Sequence, residues 1–400
     1  MIHSSYYRPR VYPFSGTGTS SEIDRLQELT GTTTLNRAKL EEIGRVGIIA
    51  WRKNNPSVAL TMRQLEYGSM EFWNKLANKG NSNTKVELTD FKTSMVDIAG
   101  YKTDDSGNFL GTMWYPKLRT TGFGVTIGDP EGLIERNFNL VGEDEIALEN
   151  DNKYFIVKDF TALGGTNEDF TINDPVPTED PDNSSYYLFR VVRLVAGIAT
   201  ELVYGTDYTY NSGTDELTVA TTTAGDVIRA YYSASAYMSG QSPFTNNDVD
   251  VAGITADSCS ILLTSGQYVY RLQSVGIDVT FDRYDVKEIG NYNVVQRGIR
   301  DTTARITLGR LLEEWTIEEV LRGVAGVNYG KIDVRKFTDN NSLIVKIYSD
   351  NTKTNFLLGM KVTDIAPTGV DAGTPLNDYV KRNVTLEGET GFFTSVEGDL

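Results

Sequence analysis

One stretch of this sequence is written twice, 246 residues apart. Arg25-Leu26-Gln27 returns as Arg271-Leu272-Gln273, Glu42-Ile43-Gly44 as Glu288-Ile289-Gly290, and Leu60-Thr61 as Ile306-Thr307. Further on, the run Glu135 to Glu143 matches Lys381 to Glu389 at the same offset. Between these, Asn108-Phe109-Leu110 and Met113 match Asn355-Phe356-Leu357 and Met360 with a slip of one residue. Separate matches held in register over so long a span restrict the fold. Whatever one copy forms the other forms too, and the chain builds a pseudo-symmetric object.

The pattern inside each copy is that of a sheet. Val58, Leu60 and Met62 alternate with Ser57, Ala59, Thr61 and Arg63, which predicts a half-buried strand. Ala304, Ile306 and Leu308 occupy the corresponding places in the second copy. The buried faces therefore coincide, whereas a one-residue slip would exchange them. A short helix is expected after Ser69, and Thr316-Ile-Glu-Glu319 has capping-box spacing for its counterpart. Leu29 to Leu35 reads poorly as a strand. Arg52 to Pro56 and Asp301-Thr302 read as turns of two long hairpins, about 46–66 and 293–309.

These features divide the chain into an N-terminal arm (1–20), a first copy (21–145), an insert (146–260) and a second copy (261–400). The expected fold class is mainly β. It comprises two tandem sandwich or barrel domains, each with a short flanking helix, and a small all-β sandwich-like insert. The insert's front half reads as loop-rich around Asn173 to Asp182, and its rear half as alternating strands. Of the formal net charge of −16, most falls between Glu145 and Cys259, with about 18 acidic against 5 basic residues. That balance argues against tight nucleic-acid binding and suggests a solvated appendage. The arm carries Tyr6, Tyr7, Tyr12 and Phe14, apolar surfaces costly to leave in water, and is expected to dock on a neighbouring subunit or its own domain.

Few side chains here can do chemistry. The single histidine, His3, lies in the arm, so a nucleophile–histidine site and a multi-histidine zinc site are excluded. Gly122-Phe-Gly124-Val-Thr-Ile-Gly128 lacks the Gly-Lys-Ser/Thr of a phosphate loop. The lone Cys259 reads as a small buried hydrophobe. Asp174, Glu179, Asp180 and Asp182 are oxygen donors without the spacing of a calcium loop, and read better as a solvated acidic turn. No enzyme, cofactor or metal is expected. Tyr186 to Tyr204, the most apolar stretch, is broken by Arg190 and Arg193 and cannot span a bilayer. With no basic-then-apolar leader, synthesis in a cytoplasm is expected.

The second copy carries a resemblance. Arg271-Leu-Gln-Ser-Val-Gly-Ile-Asp-Val-Thr-Phe-Asp-Arg-Tyr-Asp-Val-Lys-Glu-Ile-Gly290 resembles the first strand and turn of a bacteriophage tail tube protein. Ile306 to Gly323 and Tyr379 to Glu387 continue the likeness, as does Glu42 to Lys79 in the first copy. The resemblance implies a structural virion protein whose domains surround a lumen in sixes, in rings that stack head to tail. A chain with two domains then needs three copies per ring, a homotrimer imitating a hexamer, stacked as a helical tube in the phage tail. The partners implied are other tail proteins (tape measure, terminator, distal tail), with genome DNA passing unbound and no membrane. A distal tail or baseplate hub ring, or a scaffold whose insert binds host-surface glycans, are the alternatives. The hairpins are the candidate places for subunit contacts: Trp51, Arg52, Lys53, Asn54 and Asn55 in the first copy, and Arg297, Arg300 and Asp301 in the second.

Overall fold

The structure is a computed structural model describing all residues except 1–6, 15–20, 36, 41–49, 54–55, 67, 129–130, 181–186, 244–253, 264–266, 270–271, 288–293, 312–315, 324–332 and 374–380. The N-terminal half supplies β1 (Tyr7–Pro13), β2 (Ser21–Glu22), β3 (Leu26–Thr34), β4 (Arg37–Leu40), β5 (Ala50–Lys53) and β6 (Ser57–Leu65). Helix α1 (Glu71–Leu76) follows, then β7 (Lys85–Glu87), β8 (Val96–Thr103), β9 (Phe109–Ile127), β10 (Glu135–Gly142) and β11 (Ile146–Leu148). The middle segment holds β12 (Tyr154–Thr161), β13 (Gly165–Thr171), β14 (Leu188–Val195), β15 (Ile198–Glu201), β16 (Tyr208–Asn211), β17 (Glu216–Thr222) and β18 (Val227–Ala234). The C-terminal half supplies β19 (Cys259–Leu263), β20 (Gln267–Tyr268), β21 (Leu272–Lys287), β22 (Val294–Leu311) and α2 (Thr316–Leu321). It ends with β23 (Asn341–Tyr348), β24 (Phe356–Gly373), β25 (Lys381–Gly388) and β26 (Thr390–Thr394).

The protein is mainly β, as the alternation predicts. Val58, Leu60, Met62 and Gln64 of β6 point into the core while Ser57, Ala59, Thr61 and Arg63 face out. The repeat persists in the hydrogen-bond ladders. Leu60 faces Leu140 and, 246 residues on, Ile306 faces Leu386. Leu29 faces Met62, and Val275 faces Leu308. Even the irregularities recur: the register shifts between Leu26 and Glu28 and again between Leu272 and Ser274. Another shift falls opposite Asn139/Leu140 in one half and opposite Thr385/Leu386 in the other. That second bulge lies within the stretch that carries the one-residue slip, Thr120 matching Pro367.

Eight strands form one continuous antiparallel sheet in the order β3-β6-β10-β9-β21-β22-β25-β24. A second layer covers it, with order β2-β1-β8-β9-β11 on one half and β20-β19-β23-β24-β26-β7 on the other. The long strands β9 and β24 belong to both layers and bend between them. Each turns the corner at a residue with positive φ, Lys117 in β9 and Asp364 in β24, at 51° and 55°. The left-handed conformation costs a non-glycine residue roughly 1–2 kcal/mol, and at Lys117 the Asp97 carboxylate holds the backbone N–H at 2.9 Å. One hydrophobic core fills the space between the layers and contains residues of both halves, from Val11 to Phe393.

Four expectations from sequence need correction. Leu26–Thr34 is a strand after all, because an edge strand that stays largely exposed, with only Leu26 and Leu29 partly buried, tolerates a threonine-rich run. The hairpin expected about Arg52 to Pro56 does not have β5 and β6 as its arms: β5 pairs with β4, and β6 lies between β3 and β10. Asp301-Thr302 is not a turn either, since β22 runs through it against β21, with Asp301 facing Asp282. A two-residue hairpin turn needs positive φ, which the β-branched Thr302 does not favour. The middle segment is also more ordered at its front than expected, because β12 and β13 lie there. Its strands form two sheets, β12-β18-β14-β15 and β13-β17-β16, around a separate core that includes Ile156, Val191, Leu217 and Tyr232.

Candidate assembly interface

The two halves meet along a seam in the eight-stranded sheet, where β9 runs antiparallel to β21. Ile127, Val125 and Phe123 lie opposite Val275, Ile277 and Val279, so the seam is apolar on its core side. On the other side the strands approach closely because β9 carries Gly122 and Gly124. A Cβ on Gly122 would sit 2.6 Å from the Val279 carbonyl oxygen, and one on Gly124 2.7 Å from an Asp278 carboxylate oxygen. Aromatic rings close the seam from below. Phe281 of β21 packs on Phe91 and Phe123 at centroid distances of 5.9 and 6.1 Å. Trp73 of α1 stacks on Phe393 at 3.9 Å, which ties the first helix to the last strand.

An arginine fastens the seam. Arg283 of β21 donates from Nε to the Thr120 carbonyl oxygen at 2.7 Å, and from its Nη atoms to those of Phe91 at 2.9 Å and Lys92 at 3.3 Å. A guanidinium holding three carbonyls of one half is a charge-assisted clip of fixed geometry. A second, outer seam pairs β7 with β26, Val86 facing Phe393, and places the Lys85 ammonium 4.2 Å from the Phe392 ring centroid.

The face of the sheet turned away from the core is concave and polar. A cavity of about 1010 Å³ lies on it, lined by Thr32, Thr121, Asn137, Asn139, Asp278 and Thr280 among others. Its charged neighbours are of both signs: Arg63 pairs with Glu135 at 3.4 Å, and Arg305 with Glu387 at 4.0 Å. The opposite layer of the N-terminal half carries the middle segment. Arg190 of β14 is buried against Asp97 of β8, and its guanidinium lies 3.8 Å from the Tyr231 ring centroid. Arg229 bonds Asp159 and the Pro13 carbonyl oxygen at 2.7 Å, and the Tyr101 hydroxyl donates to the Phe155 carbonyl oxygen at 2.7 Å. Trp114, Phe155, Val192 and Leu194 fill the space between. The acidic segment is therefore docked through a buried core, and the expectation of a merely solvated appendage is corrected.

The residues singled out from sequence are scattered. Tyr7, Tyr12 and Phe14 lie in or just after β1, which pairs with β8 of the same chain. The Tyr12 hydroxyl meets that of Tyr101 at 2.6 Å, and Tyr7 lies over Gly100, where a Cβ would collide with its ring. Of the two docking partners open to the arm, the chain's own sheet takes these three; Tyr6 lies outside the described residues. Trp51, Arg52 and Lys53 form β5, with side chains outside the described set, and Asn54 and Asn55 are outside it altogether. Arg297 faces Asp285 across the hairpin β21–β22. Arg300 is exposed, 3.8 Å from Asp282, and the Asp301 carboxylate accepts from the Thr302 N–H. The two with described side chains, Arg300 and Asp301, lie on β22, outside the β9–β21 pairing. Arg283 was missed, although its match with Arg37 at the 246 offset was there to be read.

Little here suggests bond-making chemistry. Among the described residues no group of three or more His, Cys, Asp or Glu could hold a metal ion. The Asp174 carboxylate is occupied by the Ser239 N–H and hydroxyl. Burial pushes the Cys259 thiol up to about 12, away from reactivity. Glu318, expected to serve the helix start, is instead buried between Arg310 and Arg382, 2.8 Å from the latter.

No protein-family model and no curated protein matches the sequence. Among solved structures, the fold is similar to a chain of the sheath–tube complex of an extracellular contractile injection system (PVC) in its extended state. That likeness has 14% identity and a TM-score of 0.27, covering 36% of this chain and 92% of the other. A chain of the tube-terminating cap of the anti-feeding prophage is similar at 13% identity and a TM-score of 0.29, covering 38% and 99%. Superposition at that level identifies no function for this chain.

Proposed function

We propose that this chain is a tail-tube subunit: a structural virion protein that closes into rings of three, which stack into a hollow conduit for genome DNA. In this reading residues 21–145 and 261–400 are the two tube domains and residues 146–260 an insert carried on the outside. The observation that carries it is the eight-stranded sheet with its internal seam. The sheet ends at β3 on one side and at the C-terminal part of β24 on the other. Those two edges are the repeat counterparts of β21 and β9, the strands that join the halves within the chain. A surface whose two edges are complementary in this head-to-tail sense assembles with further copies and closes when the rotation permits. Six domains per ring, as the sequence resemblance implies, makes the number of chains three.

The concave face supports the same reading. Threonine, asparagine and glycine alternate there with apolar side chains, and its charges are mixed rather than clustered as lysine and arginine. A polyanion passing over such a surface displaces few counterions and is not held. The test is electron microscopy of the purified protein. Hollow tubes or stacks with threefold symmetry are expected. Isolated rings that never stack favour a hub ring, and a chain that stays single at high concentration overturns the reading.

A further inference from the structure

The internal seam is a template for the contact between neighbouring chains, and it gives that contact a register. We propose that Arg37 of one chain clips onto the C-terminal half of the next, over an antiparallel pairing of β3 with β24. This deepens the ring reading above and rests on it. Arg37 is the counterpart of Arg283 at the 246 offset, and the ladders agree: Arg37 faces Lys53 as Arg283 faces Ile299. The Thr120 carbonyl, which Arg283 grips, corresponds to that of Pro367, since each faces the leucine of the shared bulge, Leu140 or Leu386. Phe91 and Lys92 correspond to Phe337 and Thr338. Within one chain Arg37 is exposed. Across the seam it would donate to these three carbonyl oxygens of its neighbour.

Two exposed apolar side chains fit the same contact. Phe281, 2% exposed inside the internal seam, corresponds to Leu35, which is 63% exposed. Leu88, 1% exposed beside β26, corresponds to Val334, which is 50% exposed. In each case the buried member meets the other half of its own chain, and the exposed one sits where a neighbour would. Copying the register of β9 and β21 pairs Thr33 with Val370, Thr32 with Asp371 and Gly31 with Ala372. It also brings Gly369 against the neighbour's backbone, as Gly122 is against Val279. In the single chain a Cβ on Gly369 has room, its nearest contact being Thr385 at 3.7 Å.

The experiment compares Arg37→Ala and Gly369→Ala with the natural chain, and adds a cysteine pair in a Cys259→Ser background. Both substitutions should leave the melting temperature of the unassembled chain unchanged and raise the concentration needed for assembly at least about tenfold. Thr32→Cys with Asp371→Cys should oxidise to covalent trimers, while Glu28→Cys with Asp371→Cys, four residues out of register, should not. Rings that assemble normally with both substitutions and do not cross-link at Thr32 and Asp371 overturn the seam and leave the ring reading standing. A natural chain that never assembles overturns both.

Discussion

Arg136 and Arg382 show what duplication preserves and what it lets drift. They hold corresponding places in β10 and β25, Arg136 fully buried and Arg382 largely so, and each half supplies a carboxylate to its arginine. The first uses Glu66, 3.1 Å away just after β6, with Gln64 on Nε at 2.9 Å. The second uses Glu318 from α2, and Arg310 now stands where Gln64 would. The repeated arginine was plain in the sequence. Its partners were not, because Glu66 and Glu318 occupy places that do not correspond. Removing one member of a buried ion pair leaves a charge without compensation, at about 3–5 kcal/mol. Glu318→Ala is expected to lower unfolding stability in urea by that much, while Glu319→Ala stays within about 0.5 kcal/mol. Cys259 gives a prediction in pH. Its folded thiol is held up to about 12 by burial, against an ordinary value of 9.0. Below pH 9 both states keep the proton and nothing is lost. Between pH 9 and 12 the unfolded chain releases a proton the folded chain retains, so this contribution to stability declines as pH rises. A thiol reagent at pH 8 should label Cys259 slowly in the native protein and quickly in denaturant.

Strands were legible where burial is one-sided and complete. The alternation in β6 and β22 fixed which face is buried, and the offset carried that result from one half to the other. Strand partners were harder to see. The threonine-rich β3 has its core-side places filled by Leu29, Gly31 and Thr33, too weak an apolar pattern to announce a strand, so β6 was paired with the wrong segment. The corners of the long strands β9 and β24 were not legible, since a left-handed residue such as Lys117 or Asp364 leaves no mark in composition. The seam between β9 and β21 depends on strand approach, and glycine is what allows it. Gly122→Val puts methyl groups where the Val279 carbonyl oxygen already lies. That overpacking should cost about 1–3 kcal/mol and raise amide exchange in β9 and β21 before it does so in β14 and β18.

The whole molecule is a sheet shared by two halves with a third unit fixed to one of them. That asymmetry was invisible in the sequence, where charge alone set the middle segment apart. Charge says how a surface meets water and nothing about what lies beneath it; Arg190 and Arg229, counted among the few cations of the segment, turn inward and fasten it. Asp97 is the receiving point, taking Arg190, the Trp114 indole N–H at 3.2 Å and the Lys117 N–H at 2.9 Å. Asp97→Ala leaves Arg190 buried beside Phe14 and Tyr231 without its counter-charge, again about 3–5 kcal/mol. The loss falls on the joint, because the segment has its own core around Val191 and Leu217 and the eight-stranded sheet has another. Calorimetry of the natural chain should show the segment and the N-terminal half melting together. In the variant the joint should open first, giving an earlier transition and protease cleavage between the two units. The edges formed by β3 and the C-terminal part of β24 lie in the other layer, away from this joint. Assembly should therefore survive Asp97→Ala, and rings that carry a loosened outer unit are the expected image. A variant that melts in one step at the natural temperature would show that the buried pair does not hold the segment in place.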